Sequence, residues 1–328
     1  MVVFSFIQTP MSLTSSTEKS LSQEYTLDES SVAQTNLEKA HLEKASLEKA
    51  FEHCLKIAHS HYENFPVASI AIPKNLRPYV AAVYAFARTA DDFADEAQFA
   101  ENRMARLVEW ENQLKSMKTI PPTHPIFIAL RETVERFSIP LSLFENLLKA
   151  FKMDVVVKRY KNFNEVLNYC RYSANPVGRI ILYLFGYPAP KFMEYSDSIC
   201  TALQLANFWQ DIAVDLKKDR IYIPEEEMNR FHVTESELQQ NVLNENFKRL
   251  IFFQVERTQE LFDQGKILCA KIPGRLGYEL RLTWLGGTTI LKKIMKKEGD
   301  IFNHRPTLSK PDVFWMIFRA MRKGSFAT

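Results

Sequence analysis

Glycine is scarce in this chain. Only 9 of its 328 residues are glycine, and the first is Gly178, so more than half of the sequence lacks the residue that tight sheet turns most often require. Together with apolar residues recurring at helical intervals, this excludes a sheet-rich fold and points to an all-α protein. Cysteine is also sparse. Cys54, Cys170, Cys200 and Cys269 are widely spaced with no CxxC pair, which excludes a zinc ribbon or a disulfide framework and fits a reducing compartment. A strong charge imbalance is missing too. The formal net charge of +3 gives no basis for nucleic-acid binding. The lysines at 292, 293, 296 and 297 read as a solvated helix face.

Uninterrupted apolar runs of about 18 residues are absent, so no spanning helix is expected. Met1–Ile7 is apolar but short, with no lysine or arginine before it, and makes a poor secretory signal. A cytoplasmic protein is the default expectation. No GxGxxG fingerprint is present, so no nicotinamide cofactor is expected.

Residues 1–50 are expected to form a disordered or loosely helical tail. They open with a stretch rich in Ser, Thr and Glu and continue into a tandem LEKA repeat at Leu37–Ala40, Leu42–Ala45 and Leu47–Ala50. A five-residue period turns by about 140° per repeat on a helix, so the leucines cannot share one face. Residues 51–328 are expected to form a single all-α domain. Helices are predicted over 51–62, 77–97, 99–117, 125–137, 140–159, 163–186, 190–217, 235–270, 274–298 and 311–323. Pro78 suits a first turn, and Pro121, Pro122 and Pro125 break the chain between segments.

Two of these helices carry a polar stripe on an otherwise apolar body. In PYVAAVYAFARTADDFADE (78–96), Tyr84, Arg88, Asp91 and Asp95 follow at intervals of four, three and four, with Asp92 beside them. In ICTALQLANFWQDIAVD (199–215), Gln204, Asn207, Asp211 and Asp215 follow at three, four and four. Such spacing lines one helix face. Each stripe holds a carboxylate pair at i and i+4, unfavourable by about 0.2–0.5 kcal/mol on an exposed helix and by far more when buried without a partner. A sequence that does this twice calls for cations. Magnesium suits the pattern, because it prefers oxygen ligands and is commonly held by one or two carboxylates plus substrate phosphates. Arg88, one turn before Asp91, is placed to meet a diphosphate oxygen. The competing possibility is a pair of solvated surface helices. No histidine joins either stripe, which weakens a zinc or di-iron reading.

YAFARTADDFADE and QLANFWQDIAVDLKKDRIYIP resemble the two aspartate-rich motifs of the squalene/phytoene synthase family, and the likeness extends over roughly His53 to Leu308, including Tyr169–Gly178 and RLGYELRLTWLGG. This resemblance implies an all-α isoprenoid synthase type I helical bundle with a central apolar cavity. It implies magnesium held by Asp91, Asp92 and Asp95 from one wall and by Asp211 and Asp215 from the other. Tyr84, Arg88, Tyr169, Gln204, Asn207, Arg220 and Tyr222 are carried over as catalytic or diphosphate-contacting residues. The implied chemistry is metal-assisted departure of pyrophosphate, leaving a carbocation between apolar walls, where aromatic faces such as Phe65 and Phe86 could stabilise it. Phe65 and Phe86 could equally be plain core residues.

Within the family the sequence resembles the hydroxysqualene synthase branch of bacterial hopanoid pathways, on HYENFPVASIAIP (61–73) and CRYSANPVGR (170–179). His61, Tyr62, Asn64, Phe65, Ser173, Asn175 and Gln210 are the substrate-binding candidates from these segments and the second motif. Other members usually carry Ser-x-Ser-Phe where Tyr62-Glu63-Asn64-Phe65 stands, Val-Ala-Gly where Ser173-Ala174-Asn175 stands, and arginine at Gln210. The implied reaction is presqualene diphosphate plus water giving hydroxysqualene plus pyrophosphate, with no reductant. Polar Tyr62, Asn64, Ser173 or Asn175 could order the water; the plainer reading is that they satisfy backbone groups or cap helices.

Two other functions fit the sequence. One is head-to-head synthesis of presqualene diphosphate or phytoene from two prenyl diphosphates. The other is a non-catalytic partner associated with pathway enzymes at a membrane. DVFWMIFRAMRK (312–323) is aromatic and ends basic, and could make peripheral contact with the inner face of a membrane. Alternatively Phe314, Ile317, Phe318 and Met321 pack on the core.

Overall fold

The computed structural model describes residues 29–60 and 72–326. Thirteen α-helices and two short 3-10 turns occur among the described residues, with no strand. The first helix, α1 (Glu29–Ser60), starts well before the predicted 51, so all three LEKA repeats lie inside a regular helix. Leu42 is nevertheless strongly exposed, as expected from a five-residue period that gives the leucines no common face. The expectation for residues 1–28 lies outside the described residues.

α2 (Arg77–Asp95) has proline in its first turn and buries a run of small side chains, including Ala81, Ala82, Ala85 and Ala90. This narrow surface lets α1, α3 (Arg103–Ser116), α4 (Pro125–Phe137) and α5 (Leu141–Val156) pack closely around it. α6 (Phe163–Ser173) and α7 (Asn175–Leu184) occupy the span predicted as one helix, 163–186. The break at Ala174 has a local cause: Pro176 has no N–H for the Tyr172 carbonyl, and its ring crowds that carbonyl. α8 (Pro190–Leu216) packs along α11 (Glu245–Lys271) and also meets α12 (Gly274–Lys296). The predicted helix at 235–270 is split into α10 (Glu235–Gln239) and α11 by Asn241, whose φ of 55° is incompatible with a continuing helix. α9 (Glu225–Arg230), absent from the prediction, precedes them. α13 (Lys310–Met321) follows an extended segment after α12. It buries Met316 and Ala320, whereas Phe314, Phe318 and Met321 are exposed, which corrects the expectation that they pack on the core.

Buried side chains fall into two clusters. One gathers α1 to α5 around Phe86, Trp110, Phe127 and Phe144. The other gathers α8, α11 and α12 around Trp209, Phe262 and Trp284. α7 belongs to both, giving Ile180 and Leu184 to the first and Leu182 to the second. Phe86 is fully buried, and its ring meets those of Trp110, Phe127 and Phe144. It is therefore core, which removes it as a cation-facing candidate.

An apolar cavity opens where α2, α7, α8 and α12 converge, lined by Val80, Val177, Ile181, Ile199, Leu203 and Leu280 among others. Gly178 borders it and lets α7 approach α8, because a Cβ there would overlap Ser196 Oγ and Cys200 Sγ. We expect Gly178→Ala to lower stability by about 1–3 kcal/mol through overpacking, read as a drop in thermal midpoint.

Candidate active site

The two acidic rows sit at corresponding ends of α2 and α8, with the apolar cavity further back along the same helices. Val80 precedes Asp91 by 11 residues and Leu203 precedes Asp211 by 8, so the cavity lies roughly 12–16 Å from the carboxylates along each axis. Tyr84 and Gln204, both buried, occupy the intervening turns. Asn207 is half-buried on the same stripe as Gln204.

On α2, Arg88 folds down its own helix. Its guanidinium lies 2.5 Å from Asp92 and 3.4 Å from Asp91. Burial raises the Tyr84 hydroxyl to about 12, eased by Arg88 and reinforced by the nearby Asp91 and Asp92 charges. Tyr84, Arg88, Asp91 and Asp92 thus form one group, as the spacing implied.

Asp95 turns the other way, toward the segment that follows α8. There the backbone enters the left-handed region at Asp219 (φ 56°), and Arg220 N–H donates back to the Asp215 carbonyl. This tight reversal returns Lys218 and Arg220 over the end of α2, where they donate to Asp95 at 2.9 and 2.7 Å. The segment is fixed in place by Ile221 N–H donating to the Lys158 carbonyl and Glu225 N–H to that of Tyr160. Burial opposes the Asp95 charge, but the hydrogen bonds from Arg220 and Lys218 outweigh it and hold the carboxyl at about 2.

Asp215 has the opposite character. Burial, reinforced by the Asp211 charge one turn away and by Asp95, lifts its carboxyl to about 7 despite Arg220 and Lys218. Asp211 is met by Arg305, whose Nε and Nη2 donate to its two oxygens at 2.5 and 3.1 Å. Next to it, buried Gln210 donates its amide to the Pro306 carbonyl. The segment between α12 and α13 therefore lies across the second acidic row.

Behind these charges is an aromatic group. Tyr222 stacks on Phe208 with centroids 3.7 Å apart and planes 6° from parallel, and Tyr169 and Tyr160 complete the cluster. Burial drives the Tyr169 hydroxyl far above the ordinary range, reinforced by the Asp154 charge. Asp154 itself is lifted to about 6 by burial, although a hydrogen bond with Tyr169 acts against the rise. Its main-chain carbonyl accepts from Arg220.

Asn175 reaches α8, its Oδ1 accepting from Thr201 Oγ1 at 2.9 Å. It does not cap α7: the capping position is Ala174, and no side-chain cap is made there. Ser173 Oγ is buried with no hydrogen-bond partner among the described residues. His61, Tyr62, Asn64 and Phe65 lie outside the described residues.

The sequence reading missed Lys218, Arg305 and Asp154. Asp154 had a usable signal, being a lone acid between apolar residues in KMDVVV. Arg305 had none, because it lies 94 residues from its partner on a segment without periodicity.

The donor set suits a hard divalent cation. Carboxylates approach from α2 and α8, and Asp215 is held at an unusually high pKa by burial and then by the neighbouring Asp211 charge, a condition that a cation relieves. No cluster of three or more His, Cys, Asp or Glu side chains forms a ready-made metal cage among the described residues. A site that holds metal only with substrate phosphates needs none.

Comparison with known proteins gives the family of the chain. The model of the squalene/phytoene synthase family matches residues 58–312. The chain is 34% identical over 222 residues to the hydroxysqualene synthase of Zymomonas mobilis, covering 66% of this chain and 74% of that one. It is 26% identical over 277 residues to a phytoene synthase of Arthrospira platensis, covering 80% and 90%. The crystal structure of squalene synthase HpnC from Alicyclobacillus acidocaldarius superposes with a TM-score of 0.74 at 39% identity, covering 77% of this chain and 96% of that one. The match runs through both acidic rows and every helix that lines the cavity, and the chain is accordingly an enzyme of the squalene/phytoene synthase family, with the all-α isoprenoid synthase fold.

Proposed function

We propose that the chain is a hydroxysqualene synthase, converting presqualene diphosphate and water to hydroxysqualene and pyrophosphate in hopanoid biosynthesis. The carrying observation is the pairing of Asp95 with Arg220 and Lys218 beside the high-pKa Asp215, at one end of the two helices that lead to an apolar cavity. This arrangement receives a diphosphate at the charged end and a hydrocarbon at the other. The hydroxysqualene synthase from Zymomonas mobilis supports the choice within the family, as do the polar residues at Ser173 and Asn175.

Asp91, Asp92, Asp95, Asp211 and Asp215 would hold magnesium, which supplies charge neutralisation of the departing pyrophosphate. The remaining work belongs to the chain. Arg88, Lys218, Arg220 and Arg305 offer donors to phosphate oxygens, exchanging carboxylate partners for them. The C–O bond to the diphosphate breaks and its electron pair leaves with pyrophosphate. The aromatic group of Tyr169, Phe208 and Tyr222 behind the acidic rows would support the positive charge left on carbon. The resulting cyclopropylcarbinyl cation rearranges, and the ring opens as water forms the new C–O bond, its proton passing to the released pyrophosphate. Asn175, anchored by Thr201, and the Ser173 hydroxyl supply hydrogen-bonding positions for that water.

Supplying the pure protein with magnesium and either presqualene diphosphate or farnesyl diphosphate tests the proposal. Hydroxysqualene from the former, with no coupling of the latter, is the expected result. Accumulation of presqualene diphosphate or phytoene from two prenyl diphosphates would instead make it a head-to-head synthase. Asn175→Ala is expected to shift product from alcohol toward hydrocarbon; an unchanged ratio removes Asn175 from water positioning.

A further inference from the structure

Beyond the end of α2, outside the two acidic rows, cations gather with too few anions to answer them. Lys158 follows α5, and its carbonyl accepts the Ile221 N–H, so the chain there runs beside the segment that carries Lys218 and Arg220. The Lys158 side chain is partly buried, yet its ammonium makes no hydrogen bond or ion pair among the described residues. Its pKa is lowered, by burial first and then by the Arg220 charge; Arg103 adds to the effect, while Asp219 and Asp95 oppose it.

The acids in range are already engaged. Asp219 bonds Arg159 at 2.8 Å, and Asp95 serves both Lys218 and Arg220. Asp154 shares a hydrogen bond with Tyr169, and Asp215 feels the charges of Lys218 and Arg220 without bonding either. Arg103, at the start of α3, donates to the main-chain carbonyl of Asp95 at 3.3 Å, and its buried Nε has no hydrogen-bond partner among the described residues. The Arg220 Nε is buried and unpartnered in the same way. The carbonyls at the end of α2 account for Arg103, since helix C-termini attract cations. They do not account for Lys158. Even with Asp215 counted as fully charged, two carboxylates, Asp95 and Asp215, face four cations, Arg103, Lys158, Lys218 and Arg220.

We propose that Arg103 and Lys158, with Lys218 and Arg220 shared between them and the acidic rows, form an outer anion-binding subsite that takes up free inorganic pyrophosphate without a metal. Ammonium and guanidinium donors around an excess of positive charge are the set that recognises phosphate oxygens. Partial burial strengthens the attraction. The rows have the opposite balance, five carboxylates against four cations, so an anion no longer tied to hydrocarbon is drawn from them toward the subsite. The apolar cavity lies at the other end of α2 and α8, which suits the outer position to a bare anion. Naming that anion as the released pyrophosphate rests on the function proposed above; the excess of cations does not.

Titration calorimetry of the full chain with inorganic pyrophosphate, after divalent ions have been removed, tests the subsite. The parent should bind pyrophosphate more tightly than inorganic phosphate, and binding should weaken with salt. Lys158→Ala and Arg103→Gln should each weaken it at least about tenfold, with Lys158→Arg recovering most of the loss. The Lys158 variants should keep the parent's thermal midpoint, because the ammonium they remove bonds nothing among the described residues. In assays with magnesium, Lys158→Ala should raise the inhibition constant of added pyrophosphate by a similar factor. The proposal is overturned if the metal-free parent does not bind pyrophosphate, or if Lys158→Ala and Arg103→Gln bind it as the parent does. It is also overturned if Arg305→Ala abolishes binding and Lys158→Ala does not, which would put the anion in the rows. An equal loss in binding an unreactive prenyl thiodiphosphate with magnesium would assign Lys158 to substrate and overturn the role in taking up the free anion. A protein that ignores presqualene diphosphate yet binds pyrophosphate through Lys158 would refute the proposed reaction and support the subsite; conversion of presqualene diphosphate with pyrophosphate binding indifferent to Lys158 would do the reverse.

Discussion

Asp215→Asn should abolish most turnover while making the metal-free protein more stable. The loss of activity, about a hundred- to a thousandfold, follows from removing one of the two α8 carboxylates that would hold a divalent cation in the function proposed above. The gain in stability has a separate origin. Asp215 lies at about 7 in the folded protein against an ordinary 3.8, because burial and Asp211 penalise its charge. Between these values the native state retains a proton that the unfolded state has released, so stability falls as pH rises, and the loss is complete above about 7. An uncharged amide avoids this. With divalent ions chelated, melting at pH 8 should show the variant more stable by roughly 1–3 kcal/mol, with the difference vanishing below about pH 4. Equal melting of the two proteins at pH 8 would contradict the strained state described for Asp215.

Asp95→Asn is expected to cost a similar factor in turnover and to move stability in the opposite direction. Asp95 sits at about 2, held down by Arg220 and Lys218. Its contribution is present above the ordinary carboxylate value and is lost as pH falls through about 2. Removing its charge leaves Arg220 half-buried without its carboxylate, a cost of about 1–2 kcal/mol at neutral pH after allowance for partial exposure. The midpoint should therefore drop, and the gap from the parent should narrow toward acid. If both asparagine variants shift stability with the same sign, the assignment of opposite roles to these two aspartates fails.

Much of this was legible before the structure. Tyr84, Arg88, Asp91 and Asp95 could be placed on one face because α2 is long and unbroken and nearly every other residue in it is apolar; Gln204, Asn207, Asp211 and Asp215 followed by the same logic. What escaped was whatever depended on distant or irregular chain. Arg305 reaches Asp211 from a segment with no period, and Lys218 reaches Asp95 only because the backbone reverses at Asp219; Arg220 was a site candidate through the family resemblance, but its pairing with Asp95 depends on the same reversal. The split at Ala174 was missed although Pro176 was visible, since the apolar periodicity of 163–186 runs across it. Phe86 was ambiguous because periodicity identifies a buried position without saying whether a core or a cavity lies beside it.

The ionic pairs described above have an electrostatic consequence for how the enzyme loads. Five carboxylates line the two rows, and Arg88, Lys218, Arg220 and Arg305 answer them. With every group ionised, the lining is one charge short of neutral on the negative side. A diphosphate arriving bare gains nothing from the net field and must compete for guanidinium groups that already have anionic neighbours. In the proposed function, divalent counter-ions arriving in the same event would restore electroneutrality, so leaving group and cations are expected to form a joint cargo, with affinity for the first rising with the concentration of the second.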